Sequence, residues 1–417
     1  MITRRELMVS GLSSAAGSFA SPLARAQAPD CGEVLAHPAW PYLSSAEGQL
    51  PVPWLSDNQT SCALGDVNGD GRIDIVLTGR RSQKAAIWLR NTGNPADAHH
   101  GWEQFVLDPG PLNPEAGSVL FDVDGDGHLD LICGGDFTSN EIWWWENPYP
   151  HYDPQVPWKR RVIKASGETQ HHDLLCGDVL NEGKPQLVFW NQGAKALFLA
   201  RIPDHPRDRT APWEYHLIFQ ADAAMEGLAM ADIDGDGRVE IVGGGRWFKH
   251  ESEMQFSAHV IDDRQRFSRA GAGKFIQSST GAQVVFANGD GCGELNWYER
   301  HADGSWTPHN LLGQDLVHGH TLRVADIDGD GRLDIFCAEM AKWCDWTRTV
   351  DYPRTHLWVF YGDGHGRFTK SVVAVGGHGT HEAQLGDING NGRLDIVGKP
   401  YMAGAPGLDI WMNPGRK

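Results

Sequence analysis

The sequence predicts an all-β fold, a seven-bladed β-propeller, and three observations carry that prediction. A nine-residue acidic motif returns along the chain at intervals of roughly 45–60 residues, the period range of propellers and solenoids. Short Val/Ile/Leu/Trp runs flank each copy, four to a unit, with no sustained helical periodicity. Glycine is plentiful, 50 in 417 residues, and it gathers in the turns between those runs.

The amino terminus is expected to be an export signal over residues 1–26. Arg4-Arg5 precedes a weakly apolar Ser/Gly/Ala-rich stretch and then Ala24-Arg25-Ala26, the order of parts in a twin-arginine leader. The protein is therefore expected in the periplasm or outside the cell. Residues 27–55 should supply one strand that closes the ring, and 56–417 the propeller itself. The first complete motif is Asp66-Val-Asn68-Gly-Asp70-Gly-Arg-Ile-Asp74. It recurs with Asp122, Asp124, Asp126 and Asp130, then with Asp232, Asp234, Asp236 and Glu240. It appears again with Asp326, Asp328, Asp330 and Asp334, and last with Asp387, Asn389, Asn391 and Asp395. A degraded copy starts at Asp178, and a copy without acidic residues fits between Phe275 and Val285. That weak fifth unit makes the count seven; six or eight is the alternative.

Each unit has the same parts. A short apolar strand enters the acidic loop, as in Val119-Leu-Phe, and a second leaves it, as in Leu129-Asp-Leu-Ile. A third carries tryptophan, as in Ile142-Trp-Trp-Trp, and a fourth ends in a Val/Ile pair, as in Arg161-Val-Ile. The last unit stops after its third strand.

In the loop, side-chain oxygens fall at positions 1, 3, 5 and 9, with a backbone carbonyl at 7 and glycines at 4 and 6. Hard oxygen ligands in a tight, flexible curl suit calcium. Position 12 lacks the Glu of an EF-hand, so this would be a strand–loop–strand site with a structural ion. An Asp/Gly hairpin without metal is the other reading. The five good loops hold 17 carboxylates, much of the formal charge of -18. A chain so acidic is a poor partner for nucleic acid, and no apolar run approaches the ~20 residues that span a bilayer. Seven cysteines without a CxxC give no thiolate zinc site. A Cys31–Cys62 clip is conceivable, while Cys133 and Cys337 sit inside apolar runs as small core residues.

On these loops, over about residues 55–415, the chain resembles the FG-GAP/VCBS repeats of integrin-α N-terminal-like propellers. Trp190-Asn-Gln-Gly-Ala-Lys-Ala-Leu-Phe-Leu-Ala, Gly243-Gly-Gly-Arg-Trp-Phe and His318-Gly-His320 resemble secreted bacterial propellers of that group. A looser similarity extends to the propellers of aldos-2-ulose dehydratase and the rhamnose–glucuronate lyases. That resemblance implies β-elimination on sugars with a metal ion in the central cavity.

Counted from the first loop aspartate, position -6 is Thr60, Ala116, His172, Glu226, His320 and His381 in units 1, 2, 3, 4, 6 and 7. Repeat symmetry puts equivalent positions at one height, so His172, Glu226, His320 and His381 should converge on the axis, at the end opposite the acidic loops. The second strands return there with Arg80, Asp136, Gln192, Arg246, Glu339 and Lys399, and Tyr401 lies nearby. His171, His318 and His378 are expected beside the ring as its partners, and His99-His100 on the surface.

A locally basic, histidine-rich mouth fits a keto-sugar or a uronate-containing saccharide. His172, His320 or His381 would take a proton next to a carbonyl, Arg246 or Lys399 would steady the enolate charge, and Tyr401 would protonate the departing oxygen. Histidines with Glu226 could equally hold a divalent cation. A carbon–oxygen lyase or dehydratase is thus the first functional reading. A non-catalytic propeller that binds carbohydrate or protein is the second, because the fold hosts both. Carboxylate pairs such as Glu226 with Asp136 or Glu339 leave glycoside hydrolysis open, which a histidine-rich ring suits less well.

Overall fold

A computed structural model describes residues 39–97, 99–341, 355–401 and 405–415. The export segment and the Cys31–Cys62 pairing lie outside the described residues. Seven sheets of four antiparallel strands make up the chain, with a two-stranded ribbon of Cys292–Gly293 and Leu316–Val317 beside them. The first blade, Gln59–Gly65, Asp74–Gly79, Ala86–Asn91 and Trp102–Asp108, shows the plan. Its strands pair in chain order, and the next five blades repeat this. The seventh takes Gln384–Gly386, Asp395–Gly398 and Asp409–Trp411 from the end of the chain. Its fourth strand is Tyr42–Ser44, which pairs with Asp409–Trp411.

Second strands are continuous apolar runs because neighbouring blades cover both of their faces. Asp74–Gly79 and Gln186–Asn191 are buried at every residue. Fourth strands such as Lys159–Ala165 are polar and half exposed, as outer edges must be. Seven apolar clusters hold the blades together, one at each junction. At the first, Trp88 and Phe105 of blade one pack with Leu131, Trp143 and Trp145 of blade two. At the closing junction, Ile75 and Leu77 meet Val397 and Ile410. Cys133 and Cys337 are fully buried in such clusters, as expected of small core residues.

The loops have a common hydrogen-bond scheme. The carboxylate at position 1 accepts amides from positions 5 and 6, as Asp66 does from Asp70 (3.0 Å) and Gly71 (2.8 Å). At position 9 an acceptor takes the amide of position 2 in all seven blades: Asp74, Asp130, Gln186, Glu240, Gln283, Asp334 and Asp395. Where that acceptor is aspartate, its second oxygen takes an amide at the end of the third strand, as with Asn147 on Asp130 at 2.7 Å. Asn147 then donates its side-chain amide to Val67 O of the preceding blade at 2.9 Å. Asn91 and Asn413 repeat this bolt on Ile388 and Ile327. Gln283 at position 9 puts position 1 of the fifth unit at Phe275, and position -6 at Arg269.

Candidate functional site

The ring residues stand where the innermost strands begin. His172 is in His171–Gly177, Glu226 bridges to Phe267, and His320 and His381 precede Thr321–Ala325 and Gln384–Gly386. Their exposures are 6%, 0%, 3% and 4%. They converge as the repeat requires. His172 Nε2 is 3.8 Å from Glu226 Oε2, the His172 and His320 rings are 5.4 Å apart, and His381 stacks on His320 at 4.3 Å. Tyr401 stacks on the far side of His381 at 4.8 Å. These five side chains, with Arg80, Gln192, Phe137 and Asp290 among others, line a cavity of about 140 Å3. Thr60 and Ala116 complete the ring as core: Thr60 bonds Thr78 at 2.9 Å, and Ala116 is buried.

The fifth blade supplies a ring member that its missing acidic loop conceals in the sequence. Arg269 pairs opposite Ala287 in the inner sheet, as His172 does opposite Trp190. Its buried guanidinium meets Asp173 Oδ1 at 2.5 Å and Glu382 Oε1 at 2.9 Å. These carboxylates are partners of the ring. Asp173 Oδ2 lies 2.9 Å from His172 Nδ1, and Glu382 Oε1 lies 3.4 Å from His320 Nδ1. His171 instead faces Gly135 O and Asn191, and burial pushes its pKa down to about 3. His378 lines a separate cavity of about 630 Å3 near Trp40, Tyr42 and Trp411. Tyr42 and Asp409, hydrogen-bonded to each other at 2.8 Å, line that larger cavity with it. His99 and His100 are exposed, as expected. The adjacent pairs His172-Asp173 and His381-Glu382 were the sequence signal for the two carboxylates; Arg269 had none.

Charge at the axis is balanced: Asp173, Glu226 and Glu382 face Arg269, Arg323 and His172. Burial opposes the charge on His172, yet Asp173, Glu226 and Glu115 outweigh it and raise its pKa to about 10. Burial likewise works against the Asp173 carboxylate, but Arg269 and His172 hold it far below the usual range. Glu382 is kept at about 2, chiefly by Arg269 against its own desolvation. Glu226 moves the other way, raised by burial despite the pull of His172 and His320. Burial, reinforced by Lys399 and His320, holds His381 well below its ordinary value.

Three expectations about the mouth need correction. Arg246 does not reach it. Gly244 and Gly245, both at positive φ, turn the fourth blade's second strand early, so Arg246 opens the third strand instead. Its guanidinium pairs with Asp263 at 2.5 Å and lies over Phe219. Lys399 is fully buried behind His381, donating to Gln59 O at 2.7 Å and to His381 Nδ1 at 2.8 Å. Burial lowers its pKa to about 7. Nor is the mouth basic, since Glu115 and Asp136 neutralise Arg80, and Glu226 and Asp290 line the same cavity. Asp136 and Glu339 serve the backbone: Asp136 caps Thr138, and Glu339 takes the amides of Val317 and His356.

Among the described residues, four clusters have the donor set and spacing for a cation. His172, Glu226 and His320 form one, with ligand atoms within 4.8 Å of one another. Both Glu226 oxygens are buried without a hydrogen-bond partner, the condition a cation relieves. The others are the loops of blades two, four and six, through Asp122/Asp124/Asp126, Asp232/Asp234/Glu240 and Asp326/Asp328/Asp334. Asn68, Asn389 and Asn391 give the first and last loops fewer carboxylates. Cationic side chains meet several of these oxygens: Arg207 on Asp124 and Asp126, Lys249 on Asp234 and Asp236.

Comparison with known proteins adds a family motif. No curated protein matches the sequence. Among solved structures, the crystal structure of rhamnogalacturonan lyase YesW aligns with a TM-score of 0.47 and 13% identity, over 92% of this chain and 76% of that one. Residues 282–337, from the second strand of blade five to that of blade six, match the model of the FG-GAP-like repeat. The chain is a seven-bladed β-propeller, and residues 282–337 of it match the FG-GAP-like repeat.

Proposed function

We propose that this propeller is a carbohydrate-active lyase that performs β-elimination in the axial cavity. One observation carries the reading: two histidines and an unpartnered buried carboxylate converge at the axis, beside a stacked His381–Tyr401 pair. His172, Glu226 and His320 would hold a divalent cation, a His/His/carboxylate set that keeps open positions. When bound, such an ion draws charge from a carbonyl or carboxylate oxygen and so acidifies the neighbouring C–H.

The chain's own groups do the rest. Lys399 Nζ donates to His381 Nδ1, so the other nitrogen of the neutral imidazole carries the proton. His381 is thus a hydrogen-bond donor to an oxygen that gathers charge, in place of the base expected from sequence. Tyr401, reacting as the phenolate, would take the α-proton and return it to the departing oxygen, which restores the phenolate. The C–H and C–O bonds break, a C=C bond forms, and the proton leaves with the alcohol. A cavity of about 140 Å3 is smaller than the roughly 300–1,000 Å3 of whole-ligand pockets. It suits the reacting edge of one keto-sugar or uronate residue, the remainder of the saccharide lying outside.

The test is a screen of keto-sugars and uronate glycosides, with cation supplied, for absorbance of a new enone or unsaturated uronate. Tyr401→Phe should lose at least 100-fold in kcat, with KM nearly unchanged. Flat traces on every substrate, alongside saccharide-dependent rises in Tm, would support the non-catalytic binding module instead. The reading includes export through the twin-arginine route, supported by Arg4-Arg5. Lysine at both positions should leave the leader uncleaved and the protein in the cytoplasm. It also includes structural calcium in the acidic loops.

A further inference from the structure

We propose that Asp173, Glu382 and Arg269 are positioning residues that fix His172 and His320 in the orientation and tautomer a cation requires. The proposal rests on the reading of the axial cluster above and deepens it.

Backbone geometry is the first support. Asp173 and Glu382 each follow a ring histidine, at φ +55° and +57°. At the same step the second and fourth blades have Gly117 and Gly227, also at positive φ. A left-handed backbone disfavours any residue with a side chain, so two blades keep a carboxylate where the fold favours glycine. In the third blade the strain accompanies a register shift between His172 and Leu174. The shift lets consecutive side chains serve the axis, His172 at the cavity and Asp173 on Arg269. Strain retained in a buried core marks function more often than stability.

Connectivity is the second. Asp173 Oδ2 meets His172 Nδ1 and also accepts the Gly227 amide at 2.7 Å, while its other oxygen is on Arg269. Glu382 Oε1 is shared between Arg269 and His320 Nδ1, and Arg323 lies 3.7 Å from Oε2. Arg269 therefore ties the two carboxylates, and through them both histidines, across blades three, five, six and seven. The Asp173 hydrogen bond keeps a proton on His172 Nδ1, so a cation would displace the proton on Nε2. The Glu382 carboxylate 3.4 Å from His320 Nδ1 favours a proton on that nitrogen by charge alone. His172 Nε2 is the nitrogen facing Glu226. Apolar packing would plug the axis at least as stably as buried charges. A plug of charges does what apolar packing cannot: it sets which histidine nitrogen is turned to a cation.

The experiment is a Co2+ titration of the full chain in excess calcium, followed by visible absorption and calorimetry. Wild type should bind one Co2+ at the axis, and His172→Ala should lose it. Asp173→Asn and Glu382→Gln should bind 10–100-fold more weakly, with Asp173→Glu recovering part of the loss. If wild type takes up no such ion, or His172→Ala binds it as tightly, the reading of the cluster fails. If His172→Ala loses the ion but Asp173→Asn and Glu382→Gln bind like wild type, the positioning role alone is overturned. Should the carboxamide variants not fold, wild-type protein with 15N-labelled histidine and Zn2+ decides. Protonated Nδ1 on His172 supports the proposal, and protonated Nε2 overturns it.

Discussion

Lys164 shows that a buried charge in this protein does not by itself mark a site. Its ammonium donates to Asn140 O at 2.9 Å and Glu168 O at 3.2 Å, and burial lowers its pKa to about 8. The unfolded chain holds that proton to about pH 10.5, so between these values the folded state binds fewer protons. Stability from this group therefore rises from pH 8 to 10.5. Across that window wild type should gain Tm relative to Lys164→Met, measured by thermal melts at fixed ionic strength; a constant difference would sink the assignment. The axial residues differ because their charges converge on one cavity. The repeat offset made four of them legible: His172, Glu226, His320 and His381. Asp173 and Glu382 were visible only as neighbours in sequence. Arg269 was not visible, because its register depends on Gln283, an amide in the place of the usual acid.

The acidic loop is a hydrogen-bonded hairpin, and the ion site proposed for it is separable from that hairpin. Blade three keeps the position-1 carboxylate, Asp178, with amides of Glu182 and Gly183 at 2.9 and 2.7 Å, but has Leu180 and Gln186 at positions 3 and 9. Gln186 and Gln283 at position 9 confirm that an acceptor, not a charge, is needed there. Chelation by EDTA should accordingly lower Tm while far-UV circular dichroism at 25 °C stays unchanged; loss of the β signal would show that the hairpins need the ion. Asp328→Asn should matter only with calcium present. Asn147→Ala should cost about 1–3 kcal/mol with or without calcium, because Leu129 O loses the Asn147 donor and Val67 O keeps only Tyr152 Oη. Urea melts in both buffers separate the two classes. The sequence marked position 9 as a ligand because acids dominate it; its backbone role emerges only from seven superposed loops.

For the whole molecule, closure is the decisive contact. Tyr42–Ser44 pairs with Asp409–Trp411, and Trp40 and Leu50 bury themselves beside it. Removing residues 1–46 would expose the third strand of blade seven as an open edge. That truncation should lower Tm by more than 10 °C and promote association, read by melts and light scattering; a monomer of unchanged Tm would refute the role. Overall acidity, -18 in formal charge, belongs chiefly to the loops. The axis is balanced and not basic, so recognition of an anionic sugar would fall to a bound cation more than to arginines.

Periodicity by itself determined the blade plan, the loops and the four-residue ring, because each is a local pattern repeated at a fixed offset. Tertiary structure decided what depends on distance between blades. It moved Arg246 out through a two-glycine turn, sank Lys399 behind His381, and brought Asp173, Arg269 and Glu382 from three blades into one buried network. Offsets within a repeat are set by the chain, whereas contacts across an axis are set by how seven copies close around it.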